Sequence, residues 1–264
     1  MRSISVSFKA GLFAAVWFAL PAPRACGAGW KYGSSVNYDT GKYGTDVRAS
    51  SVYIPFTLKR YYPEGDISVT LPFLRQSSAG QITRVGGKSV RVAKGSRASG
   101  TSSEAGIGDI LVRGSYIIKK EGRRSYDLAA AGCLKLPAAN ENKGLGTGEL
   151  DEGVGLEFGK ELSRGLTLLV DGYYTLIGDP DGVDFNNELS LDIGVLRKLN
   201  KQLALTLLYA TRSALVDGND DARELRGTLD YTAPDGNHYS GGLLLGLSAG
   251  SPQYGLSAGF SRRF

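Results

Sequence analysis

The chain has 264 residues, which is enough for one large domain or for a barrel. Its 31 basic and 26 acidic residues leave a formal net charge of +5, too small to indicate a nucleic-acid partner. Beyond residue 30, no apolar run reaches the roughly 20 residues that a membrane-spanning helix needs. Membrane-spanning strands stay compatible with this composition, because only every second residue of such a strand meets lipid.

The first 28 residues have the pattern of a secretory signal peptide. Two basic residues, Arg2 and Lys9, precede an apolar core at residues 10–20, and small residues for cleavage follow at Cys26-Gly27-Ala28. We therefore expect residues 1–28 to be removed and residues 29–264 to form the mature chain. A lipid anchor on Cys26 is the alternative interpretation. Cleavage would remove one of the two cysteines, so we predict no intrachain disulfide.

From Trp30 onward, apolar side chains alternate with polar or small ones, as in a β-strand with one apolar face. Twelve such segments are predicted, at Trp30–Tyr38, Val47–Arg60, Ile67–Arg75, Asp109–Lys119, Tyr126–Leu136, Glu152–Leu162, Leu166–Leu176, Glu188–Lys198, Leu203–Arg212, Glu224–Tyr231, Tyr239–Ser248 and Tyr254–Phe264. The chain is therefore predicted to be all-β. Pro55 and Pro72 each predict a bulge or a register shift, because proline cannot donate to the ladder.

The connections between the predicted strands vary in length in a regular way. All the long ones follow odd-numbered strands, whereas even-numbered strands are followed by short turns such as 61–66. Membrane barrels have an even number of strands, short periplasmic turns and longer outer loops. The pattern therefore predicts a transmembrane antiparallel up-and-down barrel of about 12 strands. A soluble β-sandwich is the alternative, but it gives no reason for loop length to follow strand parity.

The last predicted strand, Tyr254–Phe264, has one apolar face and ends on an aromatic residue. It resembles the closing strand of bacterial outer-membrane β-barrels. That resemblance implies that the strand pairs with the first one and is recognised by the barrel-assembly machinery through its end at Phe264. Outer-membrane lipids and lipopolysaccharide are the other partners expected from it. Arg262 departs from the pattern, because it lies in the outward set, where it could snorkel to the membrane edge.

Two further stretches resemble a known family. G-I-G-D-I at Gly106–Ile110 opens a strand, and K-L-P-A-A-N-E-N-K-G-L-G-T-G-E-L-D at Lys135–Asp151 ends the next one. With V-Y-I-P-F-T-L and V-T-L-P-F, they resemble the outer-membrane transporter family named after the meta pathway of phenol degradation. The resemblance covers nearly the whole mature chain. It implies a barrel that transports small solutes, and it marks a family-motif loop at Gly106, Gly108 and Asp109.

Strand parity assigns a set of ionisable side chains to the barrel interior. A charge at mid-depth on the lipid face costs about 2–4 kcal/mol, so these residues are expected to point inward. The pore-lining candidates are Lys59, Arg113, Lys135, Glu157, Asp171, Asp192, Arg226 and Asp230. Their mixed signs suit two interpretations. One is a polar pore that selects solutes, and the other is a salt-bridged plug that fills a narrow lumen.

The long connection after the third predicted strand is strongly basic. It carries Arg84, Lys88, Arg91, Lys94 and Arg97, against the single acidic residue Glu104. Other outer loops are acidic, at Glu141, Glu149, Asp151, Asp179, Asp181, Asp184, Asp217, Asp220 and Asp221. One hypothesis is that the basic loop folds over this acidic rim as a lid or constriction. The alternative is a mobile loop that meets lipopolysaccharide phosphates.

The sequence predicts no catalytic, cofactor or metal site. His238 is the chain's single histidine, and it lies in a short turn expected to face the periplasm, whereas hydrolysis of outer-leaflet lipid would need it at the other end. The acidic loop Asp179–Glu188 has its glycine at the wrong place for an EF-hand. The predicted function is therefore an outer-membrane channel for passive passage of small solutes, aromatic or otherwise apolar by family analogy. A plugged structural or surface-interaction barrel is the alternative.

Overall fold

The computed structural model describes residues 29–78, 82–91, 102–120, 126–180 and 182–264. The predicted signal peptide, residues 1–28, lies outside the described residues, as do Lys94 and Arg97. The strands are β1 (Gly29–Gly41), β2 (Ala49–Tyr62), β3 (Gly65–Ser78), β4 (Ile82–Val85), β5 (Lys88–Arg91), β6 (Ser102–Ile107), β7 (Ile110–Lys119), β8 (Asp127–Leu136), β9 (Asp151–Ser163), β10 (Leu166–Leu176), β11 (Glu188–Lys198), β12 (Leu203–Arg212), β13 (Ala222–Thr232), β14 (Asn237–Gly246) and β15 (Tyr254–Arg263). A short 3-10 helix spans Glu141–Lys143. Within this described part, no helix is long and apolar enough to cross a membrane.

The wall is a closed antiparallel barrel with twelve strand positions. Along the wall, each strand position pairs with the next one in sequence, and β1 closes the barrel by pairing with β15 from Lys31↔Arg263 to Thr40↔Tyr254. Strands β6 and β7 share one position, because both pair with β3. The predicted fold class and the predicted pairing of the last strand with the first are therefore confirmed.

The predicted strand Asp109–Lys119 begins too late, because β6 and β7 together fill this position of the wall and β6 already starts at Ser102. Ser102–Ile107 is rich in serine and glycine and lacks apolar alternation, yet it forms β6 because the extended end of β3 offers a partner. The register changes between Thr70↔Leu111 and Phe73↔Ile107, opposite Pro72. The Pro72 carbonyl accepts a hydrogen bond from the Gly108 amide at 2.8 Å. The shift predicted at Pro72 is confirmed.

The second proline behaves differently. Pro55 lies opposite Pro72 in the β2–β3 ladder, whose register continues unchanged past the pair. On the other side of β2, the pairs Ser34↔Phe56 and Asn37↔Tyr53 keep the same offset, with a gap in the ladder between them. The bulge or shift predicted at Pro55 is therefore wrong. Proline removes a donor there without inserting a residue.

The two faces of the wall have opposite character. The outward side chains form an apolar belt of exposed residues that includes Val36, Phe56, Leu58, Val69, Leu71, Ile118, Val154, Leu156, Leu189, Leu207, Leu225, Leu243, Leu245 and Leu256. Tyrosines at strand ends, such as Tyr62, Tyr116 and Tyr239, are exposed in the same belt. The buried polar residues of the strands point to the other side. An apolar outside with an aromatic edge and a polar inside is the pattern of a barrel that crosses a membrane.

The strand bounds also bear out the predicted difference between the two ends of the barrel. Turns at residues 63–64, 164–165, 199–202 and 233–236 lie at the end that carries the chain termini, as does the connection 120–126, of which 121–125 lie outside the described residues. The opposite end carries the connections 42–48, 79–101, 137–150, 177–187, 213–221 and 247–253. The longest of these, 79–101, contains β4 and β5, which pair only with each other among the described strands. They form a hairpin whose turn, Gly86-Gly87, has φ values of 52° and 80°, a conformation that suits glycine.

Candidate functional site in the barrel lumen

The β4–β5 hairpin lies inside the barrel and is held on one side by a polar network. Arg84, 3% exposed, donates to Asp39 Oδ2 and Ser51 Oγ at 2.7 Å each. Asp39 Oδ1 accepts from Tyr43 Oη at 2.9 Å and from Ser89 Oγ at 3.1 Å. Asp39 and Ser51 are paired residues of β1 and β2. The network, which we call the anchor, therefore fixes both strands of the hairpin to one part of the wall.

On another side, the hairpin is sealed by apolar contacts. Val85 is 0% exposed and belongs to a cluster with wall residues of β7, β8 and β10 and with residues of two outer loops. We call this the sealed sector, and its other buried members are Leu111, Ala131, Cys133, Tyr173, Ile177, Phe185 and Leu215. Apolar side chains at inward positions of a membrane barrel exclude water, so the sealed sector closes the lumen beside the hairpin.

The outer loops hold the hairpin from above. Gln76 Nε2 donates to the Ile82 carbonyl at 2.5 Å, and Thr83 Oγ1 donates to the Gly144 carbonyl at 3.0 Å. Arg91 donates to the Gly44 carbonyl at 3.1 Å, and Asn219 Nδ2 donates to the Arg91 carbonyl at 3.2 Å. These contacts come from four different connections or wall strands, so the hairpin spans the outer mouth of the barrel.

Strands β11–β13 face the hairpin with charges instead of apolar groups. Arg212 donates to Glu224 Oε1 at 2.7 Å, and Arg226 contacts Glu224 at 2.5 Å and Asp192 at 3.6 Å. Glu188, on the same inner face, is 2% exposed. We call these residues the charged sector; they are Glu188, Asp192, Arg212, Glu224 and Arg226.

Lys88 of the hairpin points its charge at the charged sector. Burial, followed by the neighbouring positive charge of Arg212, lowers the pKa of Lys88 to about 8. The carboxylates of Glu188 and Asp192 act in the opposite direction. Because loss of a proton near neutral pH changes the charge of the lumen, Lys88 is a titratable element of the candidate site.

The structure brings three of the eight candidate residues into the charged centre of the lumen. Asp192 lies beside Arg226 in the charged sector, and Asp171 is its directly paired neighbour on β10. Arg113 and Glu157 form a second ion pair, joined by the Tyr173 hydroxyl, which accepts from Arg113 at 2.5 Å and donates to Glu157. Both groups lie on inward positions of their strands.

Two other candidates lie near the end of the barrel that carries the termini. Lys59 pairs with Asp66 at 2.8 Å, next to the turn between β2 and β3. Asp230 is half-buried and lies between the exposed residues Leu229 and Tyr231, which places its side chain on the inner face. These two residues therefore lie near the end of the barrel opposite the hairpin.

Lys135 is placed differently from a residue that lines open space. Its ammonium group is 0% exposed, lies 2.7 Å from Asp151 and 3.8 Å from Asp109, and donates to Thr147 Oγ1 at 2.6 Å. Asp109 Oδ1 also accepts from the amides of Ala138 and Ala139, at 3.2 Å and 3.0 Å. The two family motifs of the sequence thus meet in one buried ion cluster, which ties the β6–β7 junction to the 137–150 loop.

The basic loop does fold inward, but its best contact is not the predicted one. Arg84 pairs with Asp39, a wall residue. Among the described residues, none of the predicted acidic loop residues forms an ion pair with Arg84. Asp39 was not among the predicted site residues because the first predicted strand ends at Tyr38, whereas β1 continues to Gly41. The alternation Ser35, Asn37, Asp39 was the available signal. Arg212 and Glu224 were missed because both lie at predicted strand ends.

Asp179, His238 and Cys133 each lie in a local contact that stabilises the fold. Asp179 accepts the Phe185 amide at 2.8 Å and so organises its own loop. His238 Nε2 lies 3.2 Å from Thr232 Oγ1 beside the turn between β13 and β14. Cys133 is buried on the inner face, within the sealed sector.

The apolar belt, the closed wall and the charged lumen together define an outer-membrane β-barrel. The family model described as "Putative MetA-pathway of phenol degradation" matches residues 3–264, and the chain belongs to this family. The resemblance stated from the motifs is confirmed.

Two solved structures show the same architecture. The COG4313 outer membrane channel from Pseudomonas putida F1 is 16% identical, with a TM-score of 0.74 over 96% of this chain and 100% of that chain. The NanC porin is 11% identical, with a TM-score of 0.52 over 87% of this chain and 97% of that chain. Their names describe a channel and a porin, not enzymes, and at these identities the likeness shows the fold. Among curated proteins, none matches this chain.

Proposed function

We propose that this protein is an outer-membrane channel for the passive passage of small solutes, narrowed at its outer mouth by the β4–β5 hairpin. The observation that carries the proposal is the contrast inside the lumen. The hairpin is packed tightly against the sealed sector, but it faces β11–β13 across charged side chains that continue inward to Asp171 and Asp192. A polar route past a folded-in loop is typical of selective channels.

The conductance of the refolded mature chain in a planar bilayer tests this proposal, with detergent and buffer alone as the control. Discrete, reproducible current steps are the expected result. Variants Asp171→Asn, Arg113→Gln and Arg226→Gln should then change ion selectivity, because each removes one charge from the inner face. A barrel that shows heat-modifiable mobility on a gel, and thus is folded, but gives no steps would contradict the proposal.

The alternative is a plugged barrel with a structural or surface-interaction role. The anchor and the sealed sector favour it, because they hold the hairpin with both buried charge pairs and apolar packing. The two functions differ in whether the hairpin leaves a route for ions. Shortening the hairpin separates them, since a plugged barrel becomes conductive only after that change.

We further propose that the solute is aromatic or otherwise apolar and that the protein has no catalytic role. The family description, which refers to phenol degradation, supports the solute class. The position of His238, near one turn and bonded to Thr232, supports the second point. For membrane insertion, the assembly machinery would recognise β15 and the Phe264 that follows it, which exchanges two backbone hydrogen bonds with Trp30, at 2.8 Å and 2.9 Å. Lipopolysaccharide would contact the outer loops.

Liposomes that contain the protein test the solute class. Uptake of phenol or benzoate above the rate of protein-free liposomes is the expected result, and equal uptake of sugars of similar size would contradict an apolar preference.

A further inference from the structure

The outward face of the barrel changes character at the end that carries the chain termini. Four strands present a cation there instead of an apolar residue, at Arg60, Lys160, Arg197 and Arg262. These positions point outward, because their ladder partners, such as Trp30 for Arg60, belong to the apolar belt. Within the described part of the chain, no acidic residue takes an outward strand position at this end. The edge of the belt is therefore basic here.

Two of these cations lie where the barrel closes, on the strands that flank β1. The Arg60 guanidinium group lies over the Trp30 ring, 5.0 Å from its centroid, and 5.9 Å from the centroid of the Tyr62 ring. Arg262 lies on β15, on the other side of β1, and is exposed. We call Trp30, Arg60, Tyr62 and Arg262 the seam surface. The two arginines are on strands about 10 Å apart, so one small group can lie between their side chains.

The arginines of the seam surface are not neutralised by the protein. Among the residues that the structure describes, neither Arg60 nor Arg262 forms an ion pair with a carboxylate. Glu64 and Asp235 are the acidic residues of the adjoining turns, and each accepts a hydrogen bond from another side chain. A guanidinium group that lies over an aromatic ring still has N–H donors at its edge. Both arginines can therefore bind an anionic group from outside the chain.

The position of the seam surface selects the kind of anion. Outer-membrane barrels turn the end with the short turns toward the periplasm, so the seam surface faces the inner leaflet, which consists of glycerophospholipids. Tryptophan and tyrosine side chains such as Trp30 and Tyr62 are typical of the headgroup level. Arginine binds a phosphate group through two parallel N–H donors. A headgroup with a net negative charge matches two arginines without acidic partners better than a zwitterionic headgroup does.

We propose that the seam surface is a binding site for an acidic glycerophospholipid of the inner leaflet. Arg60 and Arg262 bind the phosphate group, and Trp30 and Tyr62 contact the glycerol and the upper part of the acyl chains. The bound lipid spans β1 and so lies across the place where the first and last strands pair. The proposal goes beyond the channel function and does not depend on conduction.

Trp30 reports on its own surroundings, because it is the single tryptophan of residues 29–264. Lipids with brominated acyl chains quench tryptophan fluorescence on contact. The refolded chain of residues 29–264 is reconstituted in phosphatidylcholine that contains increasing fractions of brominated phosphatidylglycerol or of brominated phosphatidylcholine. The quenching of Trp30 gives the association constant of one lipid relative to the other. We expect phosphatidylglycerol to bind about fivefold more strongly, since each basic side chain near the membrane surface contributes roughly this factor.

Arg60→Gln and Arg262→Gln should each lower this preference to about twofold or less, because each removes one charge beside Trp30. Arg197→Gln is the matched control, since Arg197 is an exposed outward arginine at the same end of the barrel but on β11, far from β1 in the strand order. It should leave the preference unchanged. Equal association constants of the two lipids in the wild type would overturn the proposal. So would an unchanged preference in both seam variants with native gel mobility, or an equal loss in Arg197→Gln, which would indicate general attraction to a charged membrane instead of a site.

Discussion

The β4–β5 hairpin contacts two regions of the lumen wall, one apolar and one charged. In the sealed sector, Val85 packs among side chains such as Leu111 and Phe185 and excludes water. In the charged sector, Arg212, Glu224 and Arg226 are satisfied by one another and leave a cavity next to the hairpin. The same short loop is therefore fixed by packing on one side and lies beside a polar passage on the other. Tight closure and solute passage can coexist because they occupy different sectors of one lumen.

Removing the hairpin should abolish the difference between the two sectors and gives the largest expected effect. Deleting residues 82–91 should raise single-channel conductance by a factor of about two to five, because a twelve-strand lumen lies between filled small barrels and wide porins. Planar-bilayer recording measures this change. Deleting residues 234–235 from the turn between β13 and β14, at the other end of the barrel, is the control and should leave the conductance nearly unchanged. Unchanged conductance in a folded barrel without the hairpin would show that the constriction lies elsewhere.

The anchor is the next target, since it holds the hairpin against both sectors. Arg84→Met leaves the half-buried Asp39 beside Ser51 without its cation, and breaking a largely buried pair in this way costs up to about 3 kcal/mol. We expect frequent current fluctuations and faster hydrogen exchange of the hairpin amides, with unchanged exchange in β12 and β13. The double variant Asp39→Asn, Arg84→Met should recover much of the loss. If the double variant shows current fluctuations and hydrogen exchange as fast as those of Arg84→Met, the Asp39–Arg84 pair does not anchor the hairpin.

Weakening only the sealed sector should have a moderate effect. Val85→Ala removes two methyl groups from a fully buried position and should cost about 2 kcal/mol. This corresponds to roughly thirtyfold faster hydrogen exchange of the hairpin amides, if they exchange by local opening. Val47→Ala, at an exposed loop valine, is the control. Equal effects of the two substitutions would contradict the assignment of Val85 to a seal.

A change of pH should alter the ion selectivity through the charged sector, and this is the smallest of the expected effects. The pKa of Lys88 is lowered to about 8 by burial and by Arg212. The folded protein therefore disfavours the charged form of Lys88, which lowers the free energy of unfolding below pH 8. That loss diminishes as the pH rises from about 8 toward the pKa of Lys88 in the unfolded chain, near 10.5. Reversal potentials under a salt gradient should shift toward cations between pH 7 and pH 9. In Lys88→Met, the reversal potential should stay nearly constant between pH 7 and pH 9. If this variant shows the same shift as the wild type, a group other than Lys88 causes the shift.

Much of the wall could be predicted from the sequence because each strand carries its own signal. Outward residues such as Leu168, Val170 and Tyr174 alternate with polar ones, and the predicted bounds of β10, β11 and β12 agree with the structure. That signal is local, since lipid acts on each strand separately. β6 lacks it and is a strand only because β3 extends beside it.

The arrangement inside the lumen could be predicted only in part. Parity gave an inward position to Arg113, Glu157, Asp192 and Arg226, but it did not give the pairing, because Arg113–Glu157 and Arg226–Asp192 each join strands that are not adjacent in sequence. The hairpin was hidden by its short strands and by its basic composition, which suggested an acidic loop as its contact. Its real contact, Asp39, depends on how far β1 extends. Whether the eight candidates line a route for solute remains a prediction for the conductance experiments.

The buried cluster around Lys135 has a practical consequence for following the protein in the laboratory. Its amine is 0% exposed and is enclosed by Asp109, Thr147 and Asp151. An amine-acylating reagent should therefore modify exposed lysines such as Lys120 and Lys201 in the intact barrel and spare Lys135. Acylation of Lys135, read by peptide mass spectrometry, then reports that the strands around it have come apart, so this one side chain serves as an internal indicator of correct assembly.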